Sequence, residues 1–381
     1  MKPVISSQEY LSLSALVNYQ LSADPVSWRA VLALIAPTLR RRQEEDLLLD
    51  ALDYLGKAYG QTKRRLGPVA VLHPIRAAAL VELACGRAPL LDLLTTLMHD
   101  KNEDLVEAKF RGDVWKDLER HYARLLAALD ESDRWYLNER IEVLTRRADE
   151  TYHHYLGRVL DRAAVTPEIV RVKLADRLDN TLDMRVDIAN ETAQINCFQM
   201  IFNILYSGTC ASLAQAVPHR TPGQMNGAKR LFQLFKNAVF LSLLRQRHLD
   251  AMDEATDRLF HSVAEASLNE SQRTLVHLFM YHVRDVKEQR ELLLDVMRYS
   301  ESGAIHRLTS PGGMHRLDGL FTARFDLKSK AELDAALAAL YADKALMVEV
   351  ATAFAAVFSS FLADPAFLIR GIDADGLRPQ V

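Results

Sequence analysis

Leu97-Met98-His99-Asp100-Lys101-Asn102-Glu103-Asp104 closes a mostly apolar run, Ala88 to Met98, that reads as a buried helix. Residues four apart lie on one helix face, about 5–6 Å between Cβ atoms. Glu103 then stands above His99, and Asp104 above Asp100. Four groups able to bind metal or move protons fall within two turns. Such groups at the end of a buried run are costly unless paired or coordinated. By itself the stretch fits equally well an ordinary helix end entering solvent, so the rest of the chain has to decide.

Outward from this stretch, the composition favours helices. The 381 residues include only 15 Gly and 12 Pro, and strand-type alternation is scarce. The expected fold class is all-α. Hydrophobic residues at 49% and charged residues at 25% suit a globular chain with a large core and two or three domains. A formal net charge of −3 gives no global field to recruit nucleic acid or an acidic membrane, and neither is expected as a partner. Cys85, Cys197 and Cys210 are scattered, lack metal-site spacing and suggest a reducing compartment. Met1-Lys2-Pro3-Val4 leads into polar Ser6-Ser7-Gln8-Glu9 with no signal-peptide core. No apolar run reaches about 18 residues, so no membrane span is expected. The expected location is the cytoplasm.

Residues 1–43 read as N-terminal helices, the second opened by Asp24-Pro25 as N-cap and first helical residue. A helix from about Glu44 to Tyr59 carries Leu47, Leu48, Ala51, Leu52 and Leu55 on one stripe. The loop Gly60 to Pro68 holds three consecutive cations, Lys63, Arg64 and Arg65; such a loop is usually solvated, but beside a metal site it could hold phosphates. In Leu72-His73-Pro74, Pro74 fits a first helical position and puts His73 at the N-cap. Trp115 and Trp135 are expected core anchors. Ile169 to Asn180 reads as a largely buried helix in which Asp176 and Asn180 share a face, one turn after Lys173. A carboxylate there wants a partner, either Lys173 or Arg177, or a metal. Residues 191–381 form a long helical remainder with no recognisable catalytic motif. Its later helices are expected near 249–268, 271–299 and 331–363, with a strand or loop at 320–327.

His73, His99-Asp100 and Asp176 make an H…HD…D pattern on three separate helices. This resembles the HD superfamily of metal-dependent phosphohydrolases. Gly60-Gln61, the basic loop, Leu72-His73-Pro74, Met98-His99-Asp100 with Glu103-Asp104, and Val172-Lys173-Leu174-Ala175-Asp176-Arg177-Leu178-Asp179-Asn180 follow the order seen in RelA/SpoT-type alarmone hydrolases. The resemblance covers about residues 44–190 and implies an HD helical bundle there. It further implies that His73, His99, Asp100 and Asp176 hold one divalent metal, usually Mn²⁺; their mixed imidazole and carboxylate donors suit such ions. Glu103 and Asp104 would act on the attacking water and the leaving group. Lys63, Arg64 and Arg65 would neutralise a substrate pyrophosphate, and Asn180 would touch the ribose or a phosphate.

The implied activity is removal of a 3′-pyrophosphate from a guanosine alarmone, (p)ppGpp, or a related nucleotide. The alternatives are another nucleotide or phosphoester, or a nucleotide-sensing module that binds a protein. They stay open because the chain departs from the family pattern around the nucleotide, with Ala58 for a usual His and an altered loop at 63–68. Lys101-Asn102 stand in place of two apolar residues, which is expected to open the site to solvent. The long apolar helices beyond residue 190 suggest a homodimer.

Overall fold

The computed structural model describes residues 3–38, 41–60, 70–184, 227–327 and 329–378. These residues form sixteen α-helices and one two-stranded antiparallel hairpin, Ile372–Asp373 with Gly376–Leu377, so the fold is all-α. The basic loop at 61–69 and the apolar run at 198–205 lie outside the described residues.

The N-terminal pair is α1 (Ser7–Leu21) and α2 (Trp28–Ile35). A capping box of Ser6 and Glu9 starts α1. Ser27, not Asp24, caps α2, accepting from the Ala30 N–H at 3.4 Å; Asp24-Pro25 lies in the turn before it. Next comes α3 (Arg42–Tyr59), where Gly56 has no side chain and the Trp28 indole fills the space a Cβ would take.

Seven helices follow: α4 (Leu72–Cys85), α5 (Leu90–Met98), the one-turn α6 (Lys101–Asp104), α7 (Gly112–Ala127), α8 (Glu131–Leu144), α9 (Tyr152–Ala163) and α10 (Glu168–Asp183). The α4, α5 and α10 helices all pack on one another. Helix α4 is buried on nearly every side, as befits a central helix of this layered bundle. It begins one residue before His73, so His73 sits in the first turn rather than at the N-cap. Gly86 ends it in the left-handed conformation, φ 69°.

The C-terminal part comprises α11 (Gly227–Gln246), α12 (Glu254–Tyr281), α13 (Val286–Glu301), α14 (Leu320–Arg324), α15 (Lys330–Ala342) and α16 (Lys344–Ala363). The expected break near 270 is absent; α12 runs on to Tyr281, and Asp285 caps α13 through the Glu288 N–H at 2.8 Å. The expected 331–363 helix is two helices, divided at Asp343, whose side chain accepts from the Leu346 N–H at 2.9 Å. Residues 320–324 are helical rather than extended. Helix α16 is apolar enough by length and composition to cross a membrane. In this structure it packs on α12 and contributes Phe354, Phe358 and Phe361 to an aromatic core shared with Phe260 and Phe321. Each fully buried Phe of this kind contributes about 2–3 kcal/mol by removal from water.

The expected segments 1–43, 44–190 and 191–381 meet in one continuous core. Helix α10 packs on α12 as well as α4, and Tyr10 of α1 hydrogen-bonds Asp179 of α10 at 2.8 Å. Trp115 is half-buried on Phe110, but Trp135 is 56% exposed and anchors no core.

Candidate metal centre

Three helices deliver four side chains to one point. His73 comes from the first turn of α4, His99 and Asp100 from the end of α5, and Asp176 from the middle of α10. The Nε2 of His73 lies 3.4 Å from Asp100 Oδ2 and 3.3 Å from Asp176 Oδ1. The Nε2 of His99 lies 3.2 Å from Asp100 Oδ1 and 3.8 Å from Asp176 Oδ1. Donor atoms of His73, His99 and Asp176 fall within 4.8 Å of one another. Adjacent donors at about 2.1 Å from an octahedral ion stand about 3 Å apart, so this set suits a single divalent cation.

Among the described residues the buried His99 Nε2 makes no hydrogen bond, although it faces the two acids. Its other nitrogen, Nδ1, is 2.7 Å from the Thr96 carbonyl and so holds a proton, which makes Nε2 the nitrogen that would face a cation once its own proton is displaced. His73 is arranged the same way. Its Nδ1 donates to Asp179 Oδ2 at 2.6 Å and its Nε2 faces the acids. Asp179 is fully buried; it also accepts from Arg76 Nε at 2.8 Å and Nη2 at 3.0 Å, and Arg76 reaches on to Asp183 at 2.8 Å. A carboxylate behind a ligating imidazole orients the ring and raises its basicity. The sequence reading gives Asp179 no role; its signals were its place in the Val172–Asn180 motif and its position three residues after Asp176 on the same helix.

The electrostatics favour a cation. Burial opposes a charge on His99, but Asp100 and Asp176 outweigh it and push its pKa up to about 9 in the metal-free chain. His73 is raised for the same reason. Asp176 is held well below the usual carboxylate range; burial works against this, and Lys173 and the two histidines override it. Both partners foreseen for Asp176 in sequence are thus resolved. Lys173 Nζ takes Oδ2 at 2.7 Å, while Oδ1 faces the histidines and accepts from Asn180 Nδ2 at 2.5 Å. Arg177 turns away to Asn237 and Gln233 of α11.

A cavity of about 300 Å³ opens beside the cluster, lined by His73, Asp100, Glu103, Asp104, Asp176 and Asn180 together with Tyr59, Tyr152, Tyr155, Arg146, Lys173, Arg177 and Lys236. Burial raises the Glu103 pKa, while one of its oxygens accepts from the Arg146 backbone N–H at 2.6 Å. Asp104 accepts from the Tyr59 hydroxyl at 3.2 Å. Lys101 does not open the site. It is buried, with its ammonium 4.2 Å from the Tyr122 ring centroid and 3.4 Å from Glu119. Lys63, Arg64 and Arg65 lie outside the described residues. The structure thus brings together His73, His99, Asp100, Asp176, Glu103, Asp104 and Asn180. It adds Asp179, which the motif contains but to which the sequence reading gave no role, and Arg146, Lys236 and the tyrosines, which no motif marked. No protein-family model, curated protein or solved structure matches the chain.

Proposed function

We propose that the chain is a divalent-metal-dependent phosphohydrolase of the HD type, removing the 3′-pyrophosphate of (p)ppGpp or a related nucleotide. The observation that carries this reading is the convergence of His73, His99, Asp100 and Asp176 on one point, with His73, Asp100 and Asp176 lining a cavity that also holds cations. The cations answer the charge of a phosphate, and the imidazole–carboxylate set answers Mn²⁺ or a similar ion. When bound, such an ion polarises a phosphoryl oxygen and lowers the pKa of water.

The chain's own groups divide the remaining work. Asp179 and the Thr96 carbonyl hold the two imidazoles with their Nε2 atoms toward the centre. Lys173 and Asn180 fix the Asp176 carboxylate. Glu103 has one oxygen tied to the Arg146 N–H, and among the described residues the other has no hydrogen bond. We assign it the proton of the attacking water. Water adds to phosphorus, the bond from phosphorus to the ribose 3′ oxygen breaks, and that oxygen takes a proton as pyrophosphate leaves. Asp104, steadied by Tyr59, stands beside Glu103 and serves that second proton transfer. General acid–base help of this kind contributes about 10²–10⁴ in rate.

A second reading keeps the chemistry and changes the nucleotide. It is favoured by the character of the cavity, whose charged and phenolic lining recognises phosphate, which all nucleotides share.

The test offers ppGpp and a panel of nucleoside mono-, di- and triphosphates to the purified chain with Mn²⁺, with Asp100→Ala as control. Release of pyrophosphate from ppGpp alone supports the first reading. Turnover of other nucleotides supports the second. No turnover by metal-loaded protein rejects both and leaves a nucleotide-sensing role.

A further inference from the structure

The sequence motifs confine the chemistry to residues 44–190, yet one wall of the cavity comes from α11, about 60 residues past Asp176 in the chain. That wall is Lys236. The other cations around the cavity are already engaged. Lys173 pairs with Asp176 at 2.7 Å, Arg177 donates to Asn237 at 2.8 Å and to Gln233, and the Arg146 guanidinium donates to the Glu150 carbonyl at 2.9 and 3.0 Å. Lys236 differs. Among the described residues no carboxylate lies within 4.0 Å of its Nζ and no acceptor is hydrogen-bonded to it. Its neighbours are aromatic faces, with ring centroids at 5.1 Å for Phe232 and 5.9 Å for Tyr152.

The bland reading of an unpaired lysine is a solvated surface residue. Three observations weigh against it here. The residue is half-buried and lines the cavity. Its helix is held in register from the metal-bearing side, because Arg177 of α10 grips Gln233 and Asn237, the residues that bracket Lys236. The Tyr152 hydroxyl also donates to the Lys236 carbonyl at 3.4 Å. Aromatic faces attract an ammonium but accept no strong hydrogen bond, so its three N–H donors stay available to an anion.

We propose that Lys236 binds a phosphate oxygen of the substrate in this cavity, which makes the C-terminal helical region a working part of the site. The substrate class rests on the phosphohydrolase reading; anion binding by Lys236 does not. Burial and the nearby Arg177 and Lys173 charges also hold its pKa well below that of a free lysine, a cost that a bound polyanion removes.

The experiment uses the full chain, loaded with Mn²⁺ and freed of unbound metal, titrated calorimetrically with inorganic pyrophosphate. Variants are Lys236→Met, Lys236→Gln and Lys236→Arg, with metal content and melting temperature measured for each. A charge-assisted hydrogen bond lost from a binding site weakens affinity on the order of tenfold or more. The expected result is that loss in Met and Gln variants of unchanged metal content and melting temperature, largely recovered by Arg. On any nucleotide the chain hydrolyses, the Met variant should raise KM more than it lowers kcat. Pyrophosphate binding that is equal in wild type and both neutral variants, or absent from the wild type, overturns the proposal. Binding that depends on Lys236 with no nucleotide turned over supports it while rejecting the hydrolase reading.

Discussion

Asp179 offers the sharpest perturbation of the centre that removes none of the proposed ligand atoms. It is fully buried and among the described residues accepts from Tyr10 Oη at 2.8 Å, Arg76 Nε at 2.8 Å, Arg76 Nη2 at 3.0 Å and His73 Nδ1 at 2.6 Å, four donors in all. Asp179→Ala removes all four at once. Arg76, itself wholly buried, keeps the Asp183 contact at 2.8 Å and the Tyr10 ring face at 5.1 Å among the described residues. Breaking one side of a buried ion pair costs about 3–5 kcal/mol, because the surviving charge is stranded out of water. The orphaned Tyr10 hydroxyl adds about 1 kcal/mol. Asp179→Asn keeps the shape but loses the charge and brings an N–H₂ against existing donors, so it should sit near the lower end of that range. The same change frees the His73 ring, and loss of a carboxylate behind a ligating imidazole lowers metal affinity about 10–100-fold. Urea unfolding gives the first quantity as a fall in midpoint at unchanged slope, and Mn²⁺ titration gives the second. Asp179→Ala with a wild-type midpoint and wild-type Mn²⁺ affinity would refute the reasoning, since the buried cluster would then contribute neither stability nor orientation.

Glu103→Gln should leave Mn²⁺ content intact and lower kcat by about 10²-fold or more, read by metal analysis beside initial rates; an unchanged rate removes Glu103 from the mechanism. Because burial raises the Glu103 pKa, the base is lost at higher pH than for a free glutamate, and the acidic limb of the kcat profile should lie above about pH 4.3. In the metal-free chain His99 is raised to about 9 against about 6.5 unfolded. Its stabilisation is therefore full below about pH 6.5 and lost as pH rises through 9, while Mn²⁺, which must displace that proton, binds more tightly over the same rise. Thermal melts of metal-free protein and Mn²⁺ titrations across pH 6–9 should move in those opposite senses; a flat pH response in both would contradict the buried, charged imidazole. Gly56→Ala should destabilise by about 1–3 kcal/mol in urea unfolding, because its methyl would enter the Trp28 ring on α2; a neutral effect would mean the α2–α3 contact yields freely.

The fold class and the inner cluster were legible because they are written in residue types and local spacing. Scarce Gly and Pro and long apolar stripes dictate helices, and His99-Asp100 at the end of a buried helix demands a partner. What was misread has specific causes. The break at Asp343 carries no Gly or Pro; a single Asp cap does the work, and an aspartate inside an apolar run looks like surface. Trp135 was placed in the core on aromatic character alone, yet large aromatics are often partly exposed. His73 was placed at a helix cap by Pro74, but the helix starts a residue earlier and turns the ring inward. Asp179 and Lys236 were illegible for a deeper reason. Asp179 matters through Arg76 and Tyr10, about 100 and 170 residues away, and Lys236 through how α11 docks on α10. Sequence spacing along one helix cannot report contacts that only the packing of several helices creates.

His73, His99, Asp100 and Asp176 are proposed to form one divalent-metal site. Metal analysis after equilibration with Mn²⁺ and removal of unbound ion tests it most directly, run on the wild type and on a folded Asp176→Ala chain. The expected result is one Mn²⁺ per wild-type chain and loss of that ion in the variant. A wild-type chain that retains no metal, or a variant that retains it in full, would contradict it.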